Sequence, residues 1–140
     1  MYKNLIKIEC SICMLLLFSL QLSAPDWNSF TIFEQSPVEP YRKLVYAIGM
    51  VETKGDTLAY NQAEDATGYF QIRPIRLVDY NNKTGSNYTR QDLFNFDTSE
   101  KIFLYFADQV GPYKLELIAR KWNGSGRQTI NYWNRIKRYL

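Results

Sequence analysis

Apolar side chains recur at Tyr41, Leu44, Val45, Ile48 and Val51, the spacing of a single helical face. Glu52 falls on that same face, four residues after Ile48 and seven after Val45, where the period asks for another apolar group. A carboxylate taken out of water is costly without compensation. Breaks in an otherwise consistent pattern concentrate at functional sites, so Glu52 is the first candidate for chemistry.

The pattern predicts further elements along the chain. Ser36-Pro37-Val38-Glu39 reads as a helix start, with an N-cap Ser, Pro at the first helical position and Glu three residues after the cap. The helix is then expected to run to about Thr53 and to stop at Gly55, which puts Glu52 in its last turn. From Gly55 to Thr67 periodicity is lost in a long polar loop with room for a hairpin. Gly68-Tyr69-Phe70-Gln71-Ile72-Arg73-Pro74 is a compact apolar segment carrying one amide, and Pro74 is placed to open a short helix through Tyr80. Asn81 to Tyr88 reads as a turn. Thr89 is a cap candidate with Asp92 three residues later, followed by Leu93 and Phe94. Ile102, Phe103, Phe106 and Val110 mark the next helix, stopped by Gly111, and Pro112 opens another with Leu115, Ile118, Ala119 and Trp122 inward. After the Asn123-Gly124-Ser125-Gly126 loop, a last helix places Ile130, Trp133, Ile136 and Leu140 on one stripe, with Tyr132, Arg135 and Tyr139 on the adjacent face. The expectation is a mainly α domain of five to seven helices.

Composition narrows the chemistry. At 140 residues and 46% hydrophobic, the chain suits one domain with a real core. A net charge of +3, with Lys and Arg scattered except for Arg135, Lys137 and Arg138 in what reads as a solvated helix end, argues against a nucleic-acid protein, while the mild basic bias fits an anionic polymer. The chain has no histidine. Imidazole bases and His-based triads are therefore excluded, and an acid or base must be a carboxylate, Lys or Tyr. The aromatic fraction of 16% suits packed rings or a groove that stacks sugars or bases. At the N-terminus, Lys3 and Lys7 precede an apolar run from Ile12 to Leu22, then Ser23 and Ala24. This has the form of a secretory signal peptide over residues 1–24, with an uncleaved anchor or a buried helix as the alternative. Cleavage after Ala24 removes both cysteines, Cys10 and Cys13, and with them any disulfide. Residues 25–36 read as a linker or arm, and 37–140 as the domain that holds the core.

The order of landmarks is a Glu at a helix end, a polar loop, Gly68 to Pro74, Asp92-Leu93-Phe94, Lys121-Trp122-Asn123-Gly124, and Gln128 to Tyr132 in the last helix. In that order and spacing the chain resembles the soluble lytic transglycosylase domain, whose motifs are Glu-Ser, Gly-Leu-Met-Gln-Ile-x-Pro, Asp-Leu-Phe, Ala-Tyr-Asn-Ala-Gly and a late Tyr. Thr53 stands where that family has Ser, Tyr69 and Phe70 where it has Leu-Met, and Trp122 where it has Tyr.

The resemblance implies an α+β lysozyme-like fold with at most a short hairpin after the catalytic Glu. It implies an exported enzyme of the bacterial periplasm or cell envelope, acting as a monomer on peptidoglycan glycan strands. Lytic transglycosylases cleave the MurNAc-GlcNAc β-1,4 bond to give 1,6-anhydro-MurNAc ends, with no metal and no cofactor. Local wall opening, during remodelling or assembly of an envelope-spanning machine, is the use it suggests. Glu52 is expected as general acid and then base, its proton affinity raised by apolar neighbours and by the negative end of its helix. Thr53, Gln71, Asn123, Tyr132, Tyr69 and Phe70 are expected around the substrate. Each has a plainer alternative. Gln71 would serve as an amide tying a loop backbone, Asn123 as a turn residue, Tyr132 as a half-buried packing tyrosine, and only one of Tyr69 and Phe70 would face the groove. Asp56, Glu64 and Asp65 are the candidates for a second carboxylate, which a lysozyme-type hydrolase would need. A non-catalytic glycan-binding or scaffold domain is the reading from another class.

Overall fold

Helix α1 spans Arg42–Glu52 and buries Leu44, Val45, Ala47 and Ile48, the face that the periodicity picks out. The computed structural model describes residues 40–140; the signal and linker readings, and the Ser36 to Glu39 helix start, lie outside the described residues. Within them Pro40 and Tyr41 form a turn and the helix begins at Arg42. Pro40 has no N–H to give a helix interior. At the other end Lys54 and Gly55 have φ of 60° and 88°, and the N–H groups of Thr53 and Gly55 both return to Gly49 O. That closes the helix where the glycine predicts.

The polar loop holds the hairpin: β1 (Tyr60–Asn61) pairs antiparallel with β2 (Ala66–Thr67), Tyr60 opposite Thr67 and Asn61 opposite Ala66. Thr67 and Ile72 form a further bridge that folds the Gly68–Gln71 turn back on the hairpin. Gly68 has φ of 75°, and a Cβ there would collide with the Leu93 carbonyl. Only a glycine lets this turn dock against the segment carrying Asp92, Leu93 and Phe94.

Helix α2 spans Pro74–Thr84, longer than the stretch to Tyr80 predicted for it. Asn81 to Thr84 are helical, supported by the Lys83–Asp79 pair and by Thr84 Oγ1 donating to Tyr80 O. The stop is Gly85 at φ 69°, and the turn beyond it is shaped by Asn81, which bonds the Tyr88 backbone through both amide atoms. A 3-10 helix at Gln91–Phe94 follows. Asp92 accepts from both the N–H and the hydroxyl of Thr89, which is half of a capping box: both bonds run toward Asp92, and the N-cap residue of the turn is Arg90 rather than Thr89.

Helix α3 (Phe96–Asp108) is capped by Asn95, which accepts from Thr98 N–H. Helix α4 (Leu115–Asn123) starts after a turn at Pro112 and Tyr113 rather than at the proline, and α5 covers Gln128–Ile136. Helix α4 packs chiefly on α5, and α1 lies against both. The core between them is aromatic: Phe70 stacks on Phe103 at 4.8 Å, and Trp122 meets Phe103 edge-on at 5.0 Å.

The α5 stripe is turned from the one the sequence suggests. Tyr132, Ile136 and Thr129 are buried, while Ile130 is 46% exposed and Leu140 38% exposed. Tyr132 can lie deeper than a half-buried packing residue because its hydroxyl finds a partner inside. The described residues form five α-helices and one two-stranded sheet, a mainly helical domain. None of these helices is long and apolar enough to cross a membrane.

Candidate active site

The last residue of α1 and the last residue of α4 open onto the same cleft. It measures about 260 Å³, and its wall includes Glu52, Asn61, Glu64, Gln71, Asn123 and Arg135. Arg73 and Arg76 from the start of α2 complete the charged lining, with Trp122 behind them. Four separate stretches of chain thus meet around one half-buried carboxylate.

Tyr132 donates its O–H to Glu52 Oε1 at 2.7 Å, across a sequence separation of 80 residues. Burial, the negative charge of Glu52 and this hydrogen bond all raise the proton affinity of the phenol above its ordinary value. Tyr132 is therefore a donor only. The Glu52 carboxyl is itself held above the usual carboxylate range, first because burial disfavours its charge. The Tyr132 hydrogen bond and the charges of Arg135 and Arg73 pull it back, and Glu64 adds to the rise. With Oε1 occupied as an acceptor, a proton on this carboxyl belongs on Oε2.

Gln71 sits in a conformation rare for a non-glycine residue, with φ of 50°. Its amide nitrogen donates to Gly68 O at 3.0 Å and Ala59 O at 3.4 Å. The nitrogen thus ties a loop, as the plainer reading has it, while the residue also lines the cleft and its carbonyl oxygen has no partner among the described residues. Thr53 does not line the cleft. Its hydroxyl is within hydrogen-bonding distance of Gly49 O at 3.2 Å and Tyr69 O at 3.3 Å, which fixes the end of α1 to the segment carrying Gln71. Asn123 lines the cleft at the end of α4 with no side-chain hydrogen bond among the described residues.

Tyr69 and Phe70 correct the expectation that one of them faces the groove. Tyr69 is 8% exposed, with its ring against the α1 backbone where a Cβ on Gly49 would strike it, and Phe70 is fully buried. The turn that positions Gln71 needs both rings as its anchor in the core. Tyr80 is likewise buried, with Tyr88 stacked on it, and Tyr60 donates to Asp65 at 2.8 Å away from the cleft.

The three loop carboxylates separate clearly. Asp56 accepts from Leu58 N–H, and Asp65 is held by Tyr60 and Arg90. Glu64 lines the cleft with Glu52, and its Oε2 accepts from Arg73 Nε at 2.9 Å and Nη2 at 2.6 Å. The arginines were missed as site residues. Arg76 places its guanidinium 4.3 Å over the Trp122 ring and donates to the Lys121 and Trp122 carbonyls at the end of α4. Arg135 lies 5.4 Å over the Tyr132 ring. The signal for both was spacing: Arg76 is three residues after Arg73 at a helix start, and Arg135 is three after Tyr132, one turn along the same face.

No protein-family model, curated protein or solved structure matches the chain.

Proposed function

We propose that the chain is a lytic transglycosylase of lysozyme-like fold, exported to the cell envelope, that cleaves peptidoglycan glycan strands. The observation that carries this reading is the half-buried Glu52 carboxyl in an open cleft, proton affinity raised, with the Tyr132 hydroxyl fixing one of its oxygens. A carboxylic acid whose proton affinity is raised by burial is better able to protonate the leaving oxygen of a glycosidic bond.

In the proposed reaction the Glu52 proton passes to the glycosidic oxygen as the bond from C1 breaks. The Glu52 carboxylate then takes the proton of the sugar's own 6-hydroxyl, and O6 bonds to C1 to close the 1,6-anhydro ring. Glu52 ends protonated as it began, and no water is consumed. The Tyr132 hydrogen bond supports the carboxylate in the half-cycle when Glu52 is charged, and Gln71 and Asn123 are available to the sugar's polar groups.

Glu64 favours a second reading, a hydrolase of the lysozyme type, because it is a second carboxylate in the same cleft. Digestion of purified peptidoglycan by wild type, Glu52→Gln and Glu64→Gln, followed by product masses, tests both. Anhydro ends that depend on Glu52 support the transglycosylase, and reducing ends that depend on Glu52 and Glu64 support the hydrolase. Digestion unchanged in Glu52→Gln refutes the enzyme reading and leaves a binding domain.

A further inference from the structure

Three guanidiniums enter the cleft, and two are answered from within the fold. Arg73 is held by Glu64 through two hydrogen bonds, and Arg76 by the carbonyl end of α4 and the face of Trp122. Arg135 has no ion pair or hydrogen bond among the described residues; it lies over the Tyr132 ring, and its charge acts on Glu52. An arginine on an outer helix face needs no partner beyond water. Arg135 is exposed, but it stands in the wall of the cleft, one turn after the residue that holds the catalytic carboxyl.

We propose that Arg135 is a substrate-recognition residue that pairs with a carboxylate carried by the glycan strand beside the scissile bond. The proposal rests on the glycan-cleaving reading and adds to it the charge of the preferred substrate. A guanidinium offers a planar pair of donors matched to a carboxylate, which a neutral amino sugar lacks. The site's own chemistry favours the same arrangement. A cation beside Glu52 draws down its affinity for the proton, so a substrate carboxylate that neutralises Arg135 leaves the acid better protonated when the glycosidic oxygen arrives. Two sources supply such a carboxylate: the lactyl group of a muramic residue without its peptide, or the acidic groups of an attached peptide stem.

The test uses the Glu52→Gln protein, which mimics the protonated acid and does not turn over, with and without Arg135→Gln. Binding is measured by calorimetry at low ionic strength, where an exposed charge is least screened. The ligands are peptide-free glycan strands, the same strands with lactyl carboxylates amidated, and peptide-bearing strands. Amidation is expected to weaken binding about tenfold, and Arg135→Gln to abolish that difference, as one charged pair worth ~1.4 kcal/mol would. A preference that depends on Arg135 but appears only with peptide-bearing strands upholds the pairing and places the carboxylate in the stem. Equal binding of all three ligands, or a preference that survives Arg135→Gln, overturns the proposal while leaving the enzyme reading intact. No binding of any strand, together with no digestion by wild type, overturns both.

Discussion

Replacing Glu52 by Gln separates the cost of the acid from its use. The amide keeps nearly the same shape and still accepts from Tyr132, but it never carries the charge that burial opposes. Because the folded-state proton affinity of Glu52 is raised above the unfolded one, its stability contribution is fully present below the unfolded value of roughly 4.3. It is lost as pH rises through the folded value. Wild type and variant should therefore be about equally stable near pH 4 and diverge above it, with the variant the more stable at pH 8. Each unit of rise corresponds to about 1.4 kcal/mol. For a domain of this size, 1 kcal/mol moves the melting temperature by roughly 4–8 °C. Thermal melts by circular dichroism from pH 4 to pH 8 read this directly. A Tm difference that stays constant with pH, or a variant less stable at pH 8, would refute the account of Glu52 as a carboxyl raised by burial.

Other outcomes follow from the same geometry. Tyr132→Phe removes a hydrogen bond that favours the charged carboxyl, so the upper limb of the pH-rate profile should move to higher pH, with a stability loss of about 1–3 kcal/mol at pH 8 in denaturant titrations. Gly68→Ala places a Cβ against the Leu93 carbonyl at a positive φ and should destabilise by more than ~3 kcal/mol, seen as poor recovery of folded protein. Gly49→Ala should cost about 1–3 kcal/mol by driving into the Tyr69 ring, and adding Tyr69→Leu should restore part of it, measurable as a double-mutant cycle. Glu64→Gln loosens a surface pair worth less than ~1 kcal/mol, so an activity loss above tenfold without unfolding would mark Glu64 as a catalytic partner.

What the sequence disclosed was mostly local. The misfit of Glu52 on an apolar helix face, the glycine stop at Gly55 and the Thr89–Asp92 contact each lie within one or two turns of chain, where period and capping chemistry speak plainly. The hairpin and the five helices follow from the same signals. The errors sit where a distant partner overrides the local pattern. Tyr132 belongs to the buried stripe of α5 because a carboxyl 80 residues earlier accepts its proton donor, and no periodicity contains that fact. Ile130 is left outside as a result. Tyr69 and Phe70 alternate as a groove-lining pair would, yet both are drawn inward, one against Gly49 and the other onto Phe103. Arg135 reads as part of a solvated basic end with Lys137 and Arg138, and all three are exposed, but only the fold shows that Arg135 lines the cleft.

The stacking of Arg76 on Trp122 gives the cleft a spectroscopic handle. The indole lines the cavity wall, with a cation 4.3 Å from the centre of its ring and its own N–H bonded to Phe70 O at 3.1 Å. A cation on the face of an indole interacts with the π electrons of the ring. A ligand that displaces Arg76 removes that interaction, and the emission of Trp122 changes with it. Occupancy of the cleft can then be followed by the intrinsic fluorescence of an unlabelled protein, with Trp27→Phe and Trp133→Phe leaving Trp122 as the one tryptophan of the chain.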